Sequence, residues 1–213
     1  CEACEFVDTF LKLYPDVAVI LNIDADHLDY FKTVDNIIKS FNKFCNNTTK
    51  AIIYNGDDEN TVKAVSSVLG KEKITFGLSD KNDFYPENIE RINGMTTEFD
   101  LIHKGEKLVR LTVSVPGEHN ILNALAASAA AYYAGVNPSD IAENLKNFTG
   151  AGRRFEKIAE KNGITIVDDY AHHPAEIKVT LSAAVKMGYK RVVAVFQPFT
   201  FSRTAMLLND FAE

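Results

Sequence analysis

The apolar run Val17-Ala-Val-Ile-Leu-Asn-Ile23, bounded by Pro15 and by Asp24-Ala-Asp26, constrains the fold more than any other stretch. Such a run is consistent with a strand buried on both faces, as strands are in parallel sheets covered by helices. The alternation continues beyond it. Thr33 to Phe44 places apolar residues at helical spacing, and Ala51-Ile-Ile-Tyr54 reads as a second strand closed by Asn55-Gly-Asp-Asp58. A helix from about Glu59 to Leu69 and a strand over Lys73–Phe76 follow. This βαβαβ order predicts an α/β fold with a mostly parallel sheet.

From Tyr85 to Val115 the apolar pattern changes to period two. Ile89 and Arg91, Thr97–His103 and Lys107–Val115 are separated by Asn93-Gly94 and Lys104-Gly105, both hairpin signals. The expectation is an antiparallel meander appended to the parallel sheet. Pro116-Gly117 ends it, and helices are predicted over Glu118–Ala134 and Pro138–Phe148. After Gly150-Ala-Gly152 comes a hairpin, Phe155–Glu160 with Gly163–Val167, and then a helix over Pro174–Met187 with proline in its first turn. Arg191–Phe196 reads as a buried strand, and a further helix opens at Ser202. Two domains are expected, 1–149 and 150–213, joined at Gly150–Gly152.

The chain has 213 residues and a net charge of −6. That balance argues against broad electrostatic binding of nucleic acid or an anionic membrane. No apolar run approaches the ~20 residues of a membrane helix. The opening Cys1-Glu-Ala-Cys-Glu5 has no methionine, basic region or apolar core of a signal peptide, and reads as an internal piece of a longer chain. Three cysteines cannot close a disulfide framework, which suits a reducing, cytoplasmic setting; Cys1 and Cys4 form a C-x-x-C without the second pair or histidines of a zinc site.

An anionic ligand must therefore meet local cations. Arg153 and Arg154 follow the glycine joint, and paired guanidinium groups suit phosphate because each donates two parallel hydrogen bonds and keeps its charge. Asp168-Asp-Tyr-Ala-His-His-Pro174 adds two carboxylates, a tyrosine and two histidines near a strand end. His27, flanked by Asp24, Asp26 and Asp29, suits a divalent cation or a plain acidic turn. Glu2 and Glu5 look like ordinary solvent-facing charges. Asn120 and Asn123 share a helix face, and their carboxamides complement an adenine edge, although capping also explains Asn120. Arg203, opening a helix against its dipole, suits a carboxylate. No G-x-x-x-x-G-K-[ST] phosphate loop is present in the sequence.

Taken in order, Glu2-Ala-Cys-Glu5, Asn22-Ile-Asp-Ala-Asp-His27, Pro116-Gly-Glu-His-Asn-Ile-Leu-Asn123, Gly152-Arg-Arg-Phe-Glu156, Asp168–Pro174, and Phe196-Gln-Pro198 with Ser202-Arg-Thr204 closely resemble the Mur ligases, ATP-dependent amide-forming enzymes of peptidoglycan synthesis. The resemblance covers the whole chain. It implies the later part of a central ATPase domain followed by the start of a Rossmann-like C-terminal domain, with the phosphate loop and a UDP-binding domain upstream. It implies ATP and Mg2+ as cofactors, Glu2 and His27 as metal ligands, and Asn120 and Asn123 at the adenine. Arg153 would lie near the adenine or ribose, Arg154 at the phosphates and Asp169 at the ribose hydroxyls. Tyr170, His172 and Arg203 would lie near the incoming amine, with Arg154, His172 and Arg203 catalytic. UDP-N-acetylmuramate and L-alanine are the implied substrates, Ser202-Arg-Thr204 favouring L-alanine over a murein tripeptide. Two departures stand out. Many relatives carry His-Arg where this chain has Phe199-Thr200, and the carbamylated lysine of several relatives has no clear counterpart, Lys43 being nearest.

Overall fold

A computed structural model describes residues 1–92, 95–198 and 200–212; at Ser202 and Arg203 it describes the backbone alone. The elements run β1 (Val17–Ile20), α1 (Leu28–Phe31), α2 (Val34–Asn47), β2 (Ala51–Asn55), α3 (Glu59–Ser66), β3 (Glu72–Phe76), β4 (Phe84–Arg91), β5 (Thr97–His103) and β6 (Glu106–Val113). Then come α4 (Glu118–Tyr133), α5 (Pro138–Lys146), β7 (Glu156–Lys161), β8 (Ile164–Asp168), α6 (Pro174–Lys186), α7 (Phe201–Met206) and α8 (Leu208–Ala212). Among the described residues, strands β1 to β6 form one six-stranded sheet in sequence order, and β7–β8 a separate antiparallel pair. β1, β2 and β3 are parallel, β3 meets β4 in parallel at Phe76 and Phe84, and β4, β5 and β6 are antiparallel. The predicted meander on a parallel sheet is what forms. The Asn93-Gly94 signal lies outside the described residues.

The sheet is covered on both faces. On one face Ile53, Phe76, Phe84, Phe99 and Leu111 pack with Ile121, Leu125 and Ala129 of α4 and Ile141 of α5. On the other, Ile20 and Ile52 pack with Ile37 and Phe44 of α2, Val65 of α3 and Phe10. Alanines 124, 126 and 129 are buried along α4, so a helix with little side-chain bulk lies close to the strands. Thr33 and Asp58 start α2 and α3 by accepting N–H bonds from Asn36 and Thr61, which satisfies amides that lack a helical partner.

Two expectations change. The strand doubly buried along its length is β2, where Ile52 and Ile53 are both fully buried; in β1, at the sheet edge, Ala18 and Ile20 are buried but Val19 is 39% exposed. Among the described residues β1 pairs with β2 alone. Arg191–Phe196 forms no strand and is exposed throughout. A buried parallel strand needs partners for its backbone, and β7 and β8, the strands nearest in sequence, bond to each other.

The turns at the C-terminal ends of β2 and β3 are tied by Asp57. Its Oδ2 accepts N–H bonds from Leu78 (2.6 Å) and Ser79 (3.1 Å), and its Oδ1 accepts from Asn82 Nδ2 at 2.9 Å. A Cβ at Gly77 would fall 2.4 Å from both Asn82 and Asp57, so only glycine allows this closure. On the meander, Asp100 accepts bonds from Asn88 (3.0 Å) and Arg110 (3.2 Å) and pairs with Lys107 at 3.0 Å. The Asn88 bond leads, and with Lys107 and Arg110 it outweighs desolvation and holds the carboxyl down at about 2.

A depressed carboxylate stabilises the fold above its unfolded value, and that contribution disappears as pH falls towards 2. Because solvent reaches the cations, about 1–2 kcal/mol is expected. Asp100→Asn should therefore lower the urea unfolding free energy by that amount at pH 7, with the gap to the parent narrowing below about pH 4 and closing as pH falls to about 2.

Candidate active site

The first cluster gathers at the end of β1. His27 precedes α1 in a left-handed conformation (φ 53°) that is uncommon outside glycine. This turn brings His27 Nε2 to 3.5 Å from Glu5 Oε1 and 3.7 Å from Asp26 Oδ2, with the Phe6 ring 4.7 Å away. Glu5, Asp26 and His27 each offer a ligand atom, all within 4.8 Å of one another. One imidazole nitrogen and two carboxylates fit a divalent cation in donor type and spacing. Glu5, an ordinary solvent-facing charge by sequence pattern, belongs to this group; Glu2 is exposed and lies outside it. Glu5 is carried there by an irregular 3-10 turn, Phe6–Lys12, in which Val7 (φ 54°) and Asp8 (φ 57°) are left-handed. Asp8 anchors that turn by accepting bonds from Tyr30 Oη at 2.9 Å and from Ser40 Oγ.

The second element is the first turn of α4. Gly117 caps it at φ 103°, a conformation open to glycine, and a Cβ there would lie 2.4 Å from the His119 ring. Asn120 Nδ2 donates to Pro116 O at 2.6 Å, and Asn123 Nδ2 to Asn120 Oδ1 at 3.2 Å. The two asparagines do share a face. Asn120 seals the turn from inside the helix while Gly117 takes the cap position. His119 sits in the same motif, where sequence pattern alone does not single it out. Desolvation pushes its imidazole below the ordinary value; Asp169 opposes this and Arg154 adds to it.

That corner is the third element. Arg153 (φ 58°) and Phe155 (φ 49°) are left-handed, and carboxylates hold them so. Glu156 Oε2 accepts the Arg153 N–H at 2.7 Å, and Asp169 Oδ2 accepts the Phe155 N–H at 2.8 Å. Asp169 Oδ1 also accepts from Ala171 N–H at 2.7 Å, so this carboxylate clips two backbone segments together. Tyr170 N–H donates to Arg153 O at 2.7 Å and closes the loop. Arg153 Nε lies 3.4 Å from Asp168, and Arg154 4.0 Å from Glu176. Both pairs are exposed and therefore weak, which leaves the guanidinium groups open to exchange for another anion.

Beyond the corner, His172 Nδ1 lies 2.9 Å from Tyr170 O. A carbonyl only accepts, so Nδ1 carries the proton and Nε2 of the neutral ring is the acceptor. His173 caps α6, its Nδ1 accepting from Ala175 N–H, while Glu176 Oε2 accepts from the N–H groups of His172 (3.0 Å) and His173 (3.2 Å). Burial raises Glu176, but those amides, with His172 and Arg154, prevail and lower it. The histidine pair thus divides its labour: His173 builds the helix start, and His172 keeps a ring nitrogen available. The side chain of Arg203 lies outside the described residues, as does Phe199. Cys45 is buried, and desolvation pushes its thiol up to about 12, so it stays protonated and unreactive. A cleft of about 540 Å³ runs between α4 and α6, lined by Glu118, His119, Leu122, Lys178, Ser182 and Lys186 among others. Among the described residues, no helix is long and apolar enough to cross a membrane.

Comparison with known proteins adds family information to this geometry. Residues 4–131 match the Mur ligase middle domain, and residues 153–213 match the Mur ligase, glutamate ligase domain. The chain is 45% identical, over its full length, to a UDP-N-acetylmuramate–L-alanine ligase from Caldanaerobacter subterraneus subsp. tengcongensis, of which it covers 46%. It therefore spans under half the length of the curated relatives it matches. Among solved structures, UDP-N-acetylmuramate-alanine ligase MurC from Thermotoga maritima superimposes with a TM-score of 0.75 at 29% identity, over 90% of this chain and 43% of that one. A murein peptide ligase from Psychrobacter arcticus gives 0.63 at 27% identity, over 90% and 41%.

The packing of Gly117 against His119 generates a test. Gly117→Ala should cost about 1–3 kcal/mol of unfolding free energy through its positive φ. It should also displace His119, so that the imidazole titration followed by NMR rises towards its ordinary value. An unmoved titration would show that the glycine does not set the ring's position.

Proposed function

The chain belongs to the Mur ligases, and on that premise we propose that it carries the nucleotide-facing part of an enzyme that joins L-alanine to UDP-N-acetylmuramate at the expense of ATP. The observation that carries this reading is the corner in which Arg153, Arg154, Asp169, Tyr170 and His172 converge. The names of the relatives supply the substrates. The protein's setting is cytoplasmic on this reading.

In the proposed reaction the lactyl carboxylate of UDP-N-acetylmuramate attacks the γ-phosphorus of ATP, giving an acyl phosphate and ADP. The amine of L-alanine then attacks the acyl carbon, phosphate leaves, and the amine loses a proton. The chemistry needs positive charge around the phosphoryl oxygens and exclusion of water. Arg154 supplies charge at the phosphates, and Arg153 serves the adenine or ribose side. Their exposed carboxylate partners make the exchange for phosphate inexpensive. Asn120 and Asn123 present their carboxamides to the adenine. Asp169 faces the ribose with the lone pairs that its two amide bonds leave over, since a carboxylate has about four acceptor sites. His172 Nε2, in the tautomer fixed by Tyr170 O, accepts the amine proton, and Tyr170 and Arg203 line the amino-acid side. His27, with Glu5 and Asp26 or with the family's Glu2, would hold Mg2+, which when bound adds further positive charge at the phosphates. The joint at 150–152 acts as the hinge between domains 1–149 and 150–213. Gly150 has φ 104°, and a Cβ there would come 3.1 Å from Val115, so the joint combines backbone freedom with close packing.

The deciding measurement is amino-acid-dependent ADP release by the intact ligase carrying this chain, with UDP-N-acetylmuramate, ATP and Mg2+. Turnover with L-alanine is expected. Turnover with murein tripeptide alone would move the acceptor assignment, and ATP binding without turnover would leave a nucleotide-binding module. His27→Ala and Arg154→Ala should each reduce turnover at least about 100-fold with the unfolding midpoint preserved. Near-normal activity would remove that residue from the site.

A further inference from the structure

Arg153 and Arg154 converge on a single aromatic ring. The guanidinium carbon of Arg153 lies 4.9 Å from the centroid of Tyr170, and that of Arg154 lies 5.9 Å away. Adjacent cations repel, so a shared resting place needs something electron-rich between or beneath them. Two kinds of group offer this here. Asp168 and Glu176 do so as carboxylates at 3.4 and 4.0 Å, and Tyr170 does so through its π face. The two differ once a phosphate arrives. A carboxylate competes with the incoming anion and must be displaced, whereas a neutral ring holds the cations without opposing it.

We infer that Tyr170 is a positioning residue for the nucleotide, its ring clamping the arginine pair in the pose that receives phosphate. The inference rests on the reading of Arg153 and Arg154 as nucleotide ligands. The backbone supports it. Tyr170 N–H is bonded to Arg153 O at 2.7 Å, so the ring and the first arginine are registered by main chain. Arg153 N–H is held by Glu156 and Phe155 N–H by Asp169, which fixes the direction in which the arginines leave the loop. His172 also meets the ring, edge-on at 5.1 Å, and is itself bonded to Tyr170 O. Tyr170 is 50% exposed, so the clamp is open to a ligand from solvent. Family resemblance sets this tyrosine beside the amino acid, and the cation–π geometry adds the arginine pair to what its ring holds.

The test is binding, not turnover. The intact ligase carrying this chain would be titrated calorimetrically with adenylyl imidodiphosphate and Mg2+, comparing the parent with Tyr170→Phe, Tyr170→Leu and the double variant Arg153→Ala/Arg154→Ala. Thermal unfolding of each would be followed in parallel. Tyr170→Leu should raise the Kd about five- to tenfold, the scale of one or two part-exposed cation–π contacts, with its melting point kept. Tyr170→Phe, which keeps the π face and loses the hydroxyl, should stay within about twofold of the parent. The inference fails if Leu also stays within twofold, if Phe and Leu weaken binding alike, or if the Leu defect appears in the KM for L-alanine alone. An unchanged Kd in the double arginine variant would instead overturn the phosphate reading on which the clamp rests. A weakened double variant beside an unaffected Tyr170→Leu would sink the clamp and leave that reading standing.

Discussion

A strand paired on both sides in a covered sheet has to be apolar on both faces, and β2, between β1 and β3, bears that constraint for the six-stranded sheet. Ile52 and Ile53 are adjacent, fully buried, and face opposite clusters. Everything else is arranged around them: α2 and α3 on one face, α4 and α5 on the other. Because parallel strands are linked through helices, their C-terminal ends fall on one edge, where connecting turns carry polar groups without disturbing the core. His27 emerges just past β1, and Asp57 ties the turns after β2 and β3. The position of polar chemistry is thus a consequence of where the apolar residues must go.

The corner at 153–170 follows a different logic. Its backbone is unfavourable at two non-glycine residues, Arg153 and Phe155, and it is maintained by carboxylates that accept their amides. Acidic residues that look on paper like neutralising partners for arginine are partly occupied in shaping the loop. In a chain of net charge −6 this concentrates two cations in one place while diverting some of the surrounding negative charge into backbone bonds.

Much of this was legible in the sequence because it depends on periodicity and turn chemistry. The alternation of apolar runs and helical spacing gave the sheet, Lys104-Gly105 marked a hairpin, and Pro174 marked a helix start. What was not legible depends on partners distant in the chain. Nothing in Val17–Ile23 says that β1 ends the sheet among the described residues, and nothing in Arg191–Phe196 says that β7 and β8 pair with each other. Glu5 enters the His27 cluster through an irregular 3-10 turn that no propensity foretells. His119 is hidden for a similar reason: Asp169 and Arg154, the charges that act on its imidazole, are about 50 and 35 residues away in sequence.

The seam at Phe76 and Phe84, where the parallel and antiparallel halves of the sheet meet through one pair, bears on how the chain finds its fold. Across the meander the partners are near in sequence: Arg91 opposes Thr97, and His103 opposes Glu106. Val17 must find Ala51, and Ala51 must find Glu72, with a helix formed in between each time. Loop-closure entropy makes the first kind of search short and the second long. One sheet therefore contains a quickly assembled half and a slowly assembled half, and the slow half includes the strand that presents His27.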